Sequence, residues 1–84
     1  MGVPYDKVVG GRRLRRLREE RGMTLESMGK ELRRSPGAVC LYEKGGMGLT
    51  YEMAVRYAET FGMSLDGLTA LLAAPPSEEE RRLI

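Results

Sequence analysis

Between Gly22 and Gly45 the chain is punctuated so closely that it has room for two short helices, a turn between them and little else. Thr24 is a good N-cap, and Leu25, Met28 and Leu32 then recur at i, i+3 and i+7. Ser35-Pro36 opens the second helix, because the serine hydroxyl accepts from free backbone N–H groups and a proline at the first helical position loses no hydrogen bond. Gly22 and Gly45 stand where a helix stops. The second helix is unusual in composition: Pro36, Gly37, Ala38, Val39, Cys40 and Leu41 are all small or apolar. Gly29 falls on the inward side, where a minimal side chain lets two helices joined by a short turn cross closely. Its cost in helix propensity is about 1 kcal/mol.

The same punctuation extends along the chain and predicts five short helices with no convincing strand, hence an all-α fold. A first helix begins between Asp6 and Gly11 and runs to about Arg21, with Leu14 and Leu17 inward and Arg12, Arg13, Arg15 and Arg16 on the exposed side. Thr50 caps a fourth helix carrying Ala54, Tyr57, Ala58 and Phe61 on one face. Ser64 caps a fifth with Leu65, Leu68, Leu71 and Leu72, and Pro75-Pro76 ends it. Residues 1–74 are therefore expected to form one domain, and residues 75–84 a tail that is either disordered or a short docking helix. Ser77 and Glu80 have the spacing of a capping box, Glu78 can pair with Arg82, and Leu83 with Ile84 could dock on a partner or in a groove.

Charge is distributed unevenly. Residues 1–34 hold ten Lys/Arg against five acids, a balance of +5, whereas residues 35–84 hold four against seven, or −3. A basic half of this kind suits a polyanion such as DNA or RNA better than an acidic small molecule, although arginine runs are also common on solvated helix faces. In 84 residues no large catalytic cleft is expected. No histidine is present, Cys40 is the sole cysteine, and Ser27, Ser35, Ser64 and Ser77 fall at caps or exposed positions with no base near in sequence. The reading is therefore not an enzyme, with no catalytic residues, no metal site and no cofactor. The absence of a signal-like stretch and of any long apolar run gives no membrane association and a cytoplasmic location.

From Gly11 to Leu68, about two thirds of the chain, the sequence resembles the Cro/repressor-type helix-turn-helix family, also called xenobiotic-response-element or lambda-repressor-like. The match rests on an ordered set: Gly11, Leu14, Leu17 and Arg18 in the first helix; Gly22, Met23, Thr24, Met28 and Leu32 around the second; Ser35, Val39, Tyr42, Glu43 and Gly45 around the third; and Ala58, Phe61, Gly62, Ser64, Leu65, Asp66 and Leu68 beyond. The resemblance implies a compact five-helix bundle whose second and third helices dock on double-stranded DNA, and a transcriptional regulator, expected as a repressor and a homodimer. It also implies an ion pair between Arg18 and Glu43, in which a bidentate Arg–carboxylate bond would fix the angle of the third helix.

Carried over residue by residue, the resemblance puts Pro36, Gly37, Cys40 and Leu41 toward the bases, with Ala38 close behind and Thr24, Arg33, Arg34, Ser35 and Lys44 around them. None of the base-facing side chains can make the bidentate pairing that Arg gives to guanine or Asn and Gln give to adenine. Readout of sequence should then be weak, resting on thymine methyls, backbone N–H groups and shape. The chain also departs from the family at Leu25, Gly46, Met47 and Leu49, where phosphate-contacting or loop-specific residues are usual, while Arg33 and Arg34 add two cations before the third helix. If Arg33, in the place of the usual turn glycine, must adopt a left-handed backbone, the cost is about 1 kcal/mol or more. An alternative function is a protein-interaction module, antitoxin-like or polymerase-directed, using an apolar patch of Pro36, Gly37, Cys40, Leu41, Met47 and Leu49.

Overall fold

Side-chain caps set the start of each of the first five helices in the computed structural model, which describes residues 2–83. The helices are α1 Lys7–Glu20, α2 Leu25–Leu32, α3 Pro36–Lys44, α4 Tyr51–Phe61, α5 Leu65–Ala73 and α6 Glu78–Leu83. Asp6 accepts from the amides of Val8 and Val9 at 2.9 and 3.0 Å, and Thr24 and Ser27 exchange reciprocal bonds. Ser35, Thr50 and Ser64 each accept from the amide three residues on. Each cap satisfies an amide that the first turn of a helix leaves without a partner.

The protein is all-helical among the described residues, apart from one isolated antiparallel bridge between Gly2 and Thr50. A sixth helix is present where five were expected. It lies within the segment read as a tail, where Ser77 and Glu80 exchange two capping bonds and Arg82 bonds Glu78 at 3.1 Å. Leu83 is 55% exposed; Ile84, the other residue suggested for docking, lies outside the described residues.

The core is a single cluster built on Leu14, Met28, Leu32, Val39, Met53, Tyr57, Leu68 and Leu72, each at most 1% exposed. Tyr57 meets Tyr42 edge-on, with ring centroids 6.0 Å apart, and packs beside Phe61 at 5.6 Å. Its hydroxyl is buried with no hydrogen-bond partner, and burial pushes its pKa up. Two glycines let backbones touch. A Cβ at Gly29 would lie 2.5 Å from the Arg34 carbonyl oxygen, and one at Gly11 would collide with the carbonyls of Tyr42 and Glu43. α1 and α2 are thereby each brought against α3 at a distance no side chain would permit.

The structure corrects two expectations about burial. Arg13 is not on the exposed side of α1: its side chain is 11% exposed and donates to Glu80 and to the carbonyls of Leu71, Ala74 and Pro75. These groups come from the end of α5 and from α6, more than fifty residues away in sequence, so helical periodicity alone could not reveal them. Leu49 is 1% exposed and belongs to the core, because the loop before α4 is held down by Val3 and Tyr5. The Val3 amide donates to the Leu49 carbonyl, and the Leu49 amide donates to the Tyr5 hydroxyl, both at 3.0 Å.

Candidate nucleic-acid interface

α3 has one face in the core and one in solvent. Val39, Tyr42 and Glu43 are buried, whereas Pro36, Gly37, Leu41 and Lys44 are exposed and Ala38 and Cys40 are half-buried. This division follows from the helical period, since positions 37, 41 and 44 share a face and positions 39, 42 and 43 share the opposite one. Leu41, at 46% exposure, is the largest apolar side chain on the open face. Leu49 is fully buried and drops out of the expected apolar patch, while Met47 is half-buried against the core. The patch contracts to Pro36, Gly37, Leu41 and parts of Cys40 and Met47.

The turn before α3 carries two exposed arginines. Arg33 is the only non-glycine residue among the described ones with a positive φ, at φ 57° and ψ 44°, closing α2 in the left-handed conformation. For a residue with a Cβ this backbone costs roughly 1 kcal/mol or more. The Arg34 amide donates to the Gly29 carbonyl at 2.9 Å, while its guanidinium reaches no acid and bonds only the Arg33 carbonyl. Lys44 stands at the opposite end of α3. Nine residues at about 1.5 Å each put the two ends of α3 roughly 13 Å apart. None of the ion pairs among the described residues involves Arg33, Arg34 or Lys44. Thr24 and Ser35 are exposed, and the oxygen of each is engaged in capping its helix.

The angle of α3 is held from behind. Arg18 on α1 bonds both carboxylate oxygens of Glu43 at 2.6 and 3.0 Å, and its remaining nitrogen donates to the Met23 carbonyl at 2.8 Å. The two side chains are 10% and 6% exposed. The Glu43 hydrogen bond raises the pKa of the Arg18 guanidinium against the opposing effect of burial. One residue thus ties α1, the loop before α2 and the last turn of α3 into a rigid unit.

Sequence reasoning missed a second set of cations. Arg12, Arg15 and Arg16 line one wall of an open groove, with Lys44 across from them and Leu83 at its side. The sequence counts them in its basic half, on the exposed side of the first helix, and only the packing of α1 beside the end of α3 and against α6 makes them part of a concave surface. Among the described residues no group of three or more His, Cys, Asp and Glu could hold a metal ion. No helix among them is long and apolar enough to cross a membrane.

Residues 11–72 match a family model described as "Helix-turn-helix domain". A protein of Methanocorpusculum labreanum named "Putative HTH-type transcriptional regulatory protein" is 42% identical over 72 residues, which are 86% of this chain and 22% of that protein. A protein of the same name from Methanospirillum hungatei is 47% identical over 53 residues, 63% of this chain and 17% of its own length. The chain thus spans about a fifth of the length of the curated relatives it matches. Among solved structures, that of the clp gene regulator ClgR from C. glutamicum superimposes with a TM-score of 0.70 at 25% identity, covering 87% of this chain and 99% of that one.

Proposed function

The chain belongs to the helix-turn-helix domain family, and from that premise we propose that it is the DNA-binding unit of a transcriptional regulator. In this reading it has the lambda-repressor-like arrangement of helices, works without catalysis or cofactor, and lays α3 in the major groove of double-stranded DNA. Arg33, Arg34 and Lys44 take phosphates, and Thr24, Ser35 and the backbone at the start of α3 approach the same strand region. Pro36, Gly37, Ala38, Cys40 and Leu41 face the bases. The protein acts as a cytoplasmic repressor, and two copies occupy half-sites about one helical turn apart.

The observation that carries this reading is that cations with no ion pair among the described residues stand at both ends of the open face of α3. The length of α3, roughly 13 Å, is close to the major-groove width of about 12 Å. A helix lying in the groove would then meet a phosphate strand at each end. Between those ends the open face offers methyl, methylene and thiol groups and few donors, which suits thymine methyls and groove shape better than bidentate base pairing.

The test is a selection of bound duplexes from a random pool at several salt concentrations, with the mass of the complex measured in parallel to count subunits. Arg33→Ala/Arg34→Ala is expected to weaken binding to every sequence and to flatten the dependence of log affinity on log salt by about 0.9 per lost phosphate contact. Cys40→Ala should change little. Unaltered binding by the double variant would refute the phosphate assignment. Protein docking through Leu41 is the second reading, supported by that residue's exposure, and salt-insensitive capture of a protein with no duplex enriched would establish it.

A further inference from the structure

α1 carries more positive charge toward its start than a helix favours. A helix favours anions at its start and cations at its end. Asp6 caps the start of α1 and Arg18 lies in its last turn, as that preference asks, but the first turn of the helix holds no acid, Lys7, Arg12, Arg13, Arg15 and Arg16 crowd its first ten residues, and Glu19 and Glu20 come last. Arg12 and Arg16 also stand at i and i+4, where like charges destabilise an isolated helix. Some of this charge is compensated internally: Arg13 is bound by Glu80 and three carbonyls, and Arg15 bonds Glu19 at 3.3 Å. Arg16 has no side-chain hydrogen bond or ion pair among the described residues, and Arg12 has only the Leu83 carbonyl at 2.9 Å.

These cations face the groove between α1, the end of α3 and α6. The acids in its walls are already engaged, Glu43 by Arg18, Glu80 by Arg13 and Glu19 by Arg15. What the groove offers to a visitor is therefore the charge of Arg12, Arg16 and Lys44. We propose that this groove is a second polyanion site, taking the sugar-phosphate strand of DNA that flanks the segment covered by α3. The inference rests on the reading of α3 as the DNA-docking helix.

Continuity argues for that occupant. Lys44 ends the open face of α3 and also lines the groove, so a strand held at Lys44 runs on toward Arg12 and Arg16. Arg33 and Arg34 lie at the other end of α3, and the groove adds nothing to their phosphates. Its contribution is to lengthen the footprint along one strand, beyond what α3 alone can cover. A contact of this kind neutralises phosphates without reading bases, so it strengthens binding to all sequences alike.

The experiment is an anisotropy titration of the 84-residue chain against two random-sequence duplexes, one of about 10 base pairs, near one helical turn, and one about twice as long. Affinities are corrected for the number of binding registers and followed over salt. Arg12→Gln/Arg16→Gln should bind the short duplex as the parent does, lose affinity several-fold on the long one, and flatten the salt slope there by about 0.9 per lost contact. Arg16→Gln alone, which removes no hydrogen bond, should show about half of that change. Equal behaviour of parent and double variant on the long duplex overturns the groove assignment while leaving α3 untouched, provided Arg33→Gln/Arg34→Gln weakens both duplexes. Polyglutamate that displaces the long duplex as well as a DNA competitor of equal charge overturns it in favour of an acidic protein. A parent chain that binds neither duplex overturns the reading of α3 and the groove with it.

Discussion

Arg13 and Arg18 on α1 differ from Arg33 and Arg34 in the turn before α3 in what surrounds their guanidinium groups. The first two are nearly buried, each gripping a carboxylate by two hydrogen bonds and spending its remaining donors on carbonyls. The second two are exposed and pair with no acid among the described residues. One pair holds helices together and has nothing left to offer a ligand. The other contributes no ion pair among the described residues, and Arg33 holds a left-handed backbone that disfavours a side chain. The contrast separates arginines that position the proposed interface from arginines that are available to it.

The strongest way to break this division is to remove an acid from the seam. Glu43→Ala leaves the Arg18 charge nearly buried without its partner, and a loss of about 3 to 5 kcal/mol is expected in urea unfolding. Arg18→Met/Glu43→Leu, which removes both charges, should recover most of that loss. If Glu43→Ala proves neutral, the seam is no more structural than the turn.

A smaller effect is expected at Arg13. The guanidinium beside Glu80 and the Ser77 amide hold the Glu80 carboxyl down at about 2. Because this pKa lies below the unfolded value of about 4.3, the contact stabilises the fold in full above that value and is lost as pH falls toward 2. The protection factors of the α6 amides, corrected for the intrinsic pH dependence of exchange, should therefore be unchanged between pH 7 and 5 and fall below about pH 4. Arg13→Ala should release α6 at neutral pH and depress the melting temperature less than Glu43→Ala does.

The smallest effect sharpens the contrast most. Arg33→Gly replaces a side chain in the left-handed region by the residue that adopts it without penalty, and should stabilise the domain by roughly 1 kcal/mol. The same change should weaken DNA binding. A variant that is more stable and binds less well would show that Arg33 is retained for its ligand. Equal or tighter binding would place it with the fold.

Much of the architecture was legible in the chain because caps and helix ends are local. Thr24, Ser35-Pro36, Thr50 and Ser64 act within four residues of themselves, and each begins a helix where it was expected to. The all-helical fold and the open and closed faces of α3 follow from the same short-range rules. Arg13 was misread because its partners are contributed by α5 and α6, and a helical arginine on a polar face looks the same with or without them. Leu49 was misread because a single leucine in a loop has no periodicity to mark it, and its burial depends on the segment from Val3 to Tyr5 folding across it. The groove beside Lys44 was invisible for a related reason: concavity belongs to three helices together.

The open face of α3 has a further consequence for how a gene could be found. Each base contact made through a long bidentate side chain penalises a wrong letter by about 1 to 3 kcal/mol. If the open face of α3 meets the bases as proposed, Pro36, Gly37 and Leu41 impose little of that penalty, and one copy would spend its time on almost any stretch of duplex. Two copies joined together multiply their separate preferences, and the multiplication holds only where both can be seated at once. For such a pair, the address lies in the distance between two permissive sites more than in the letters beneath either one.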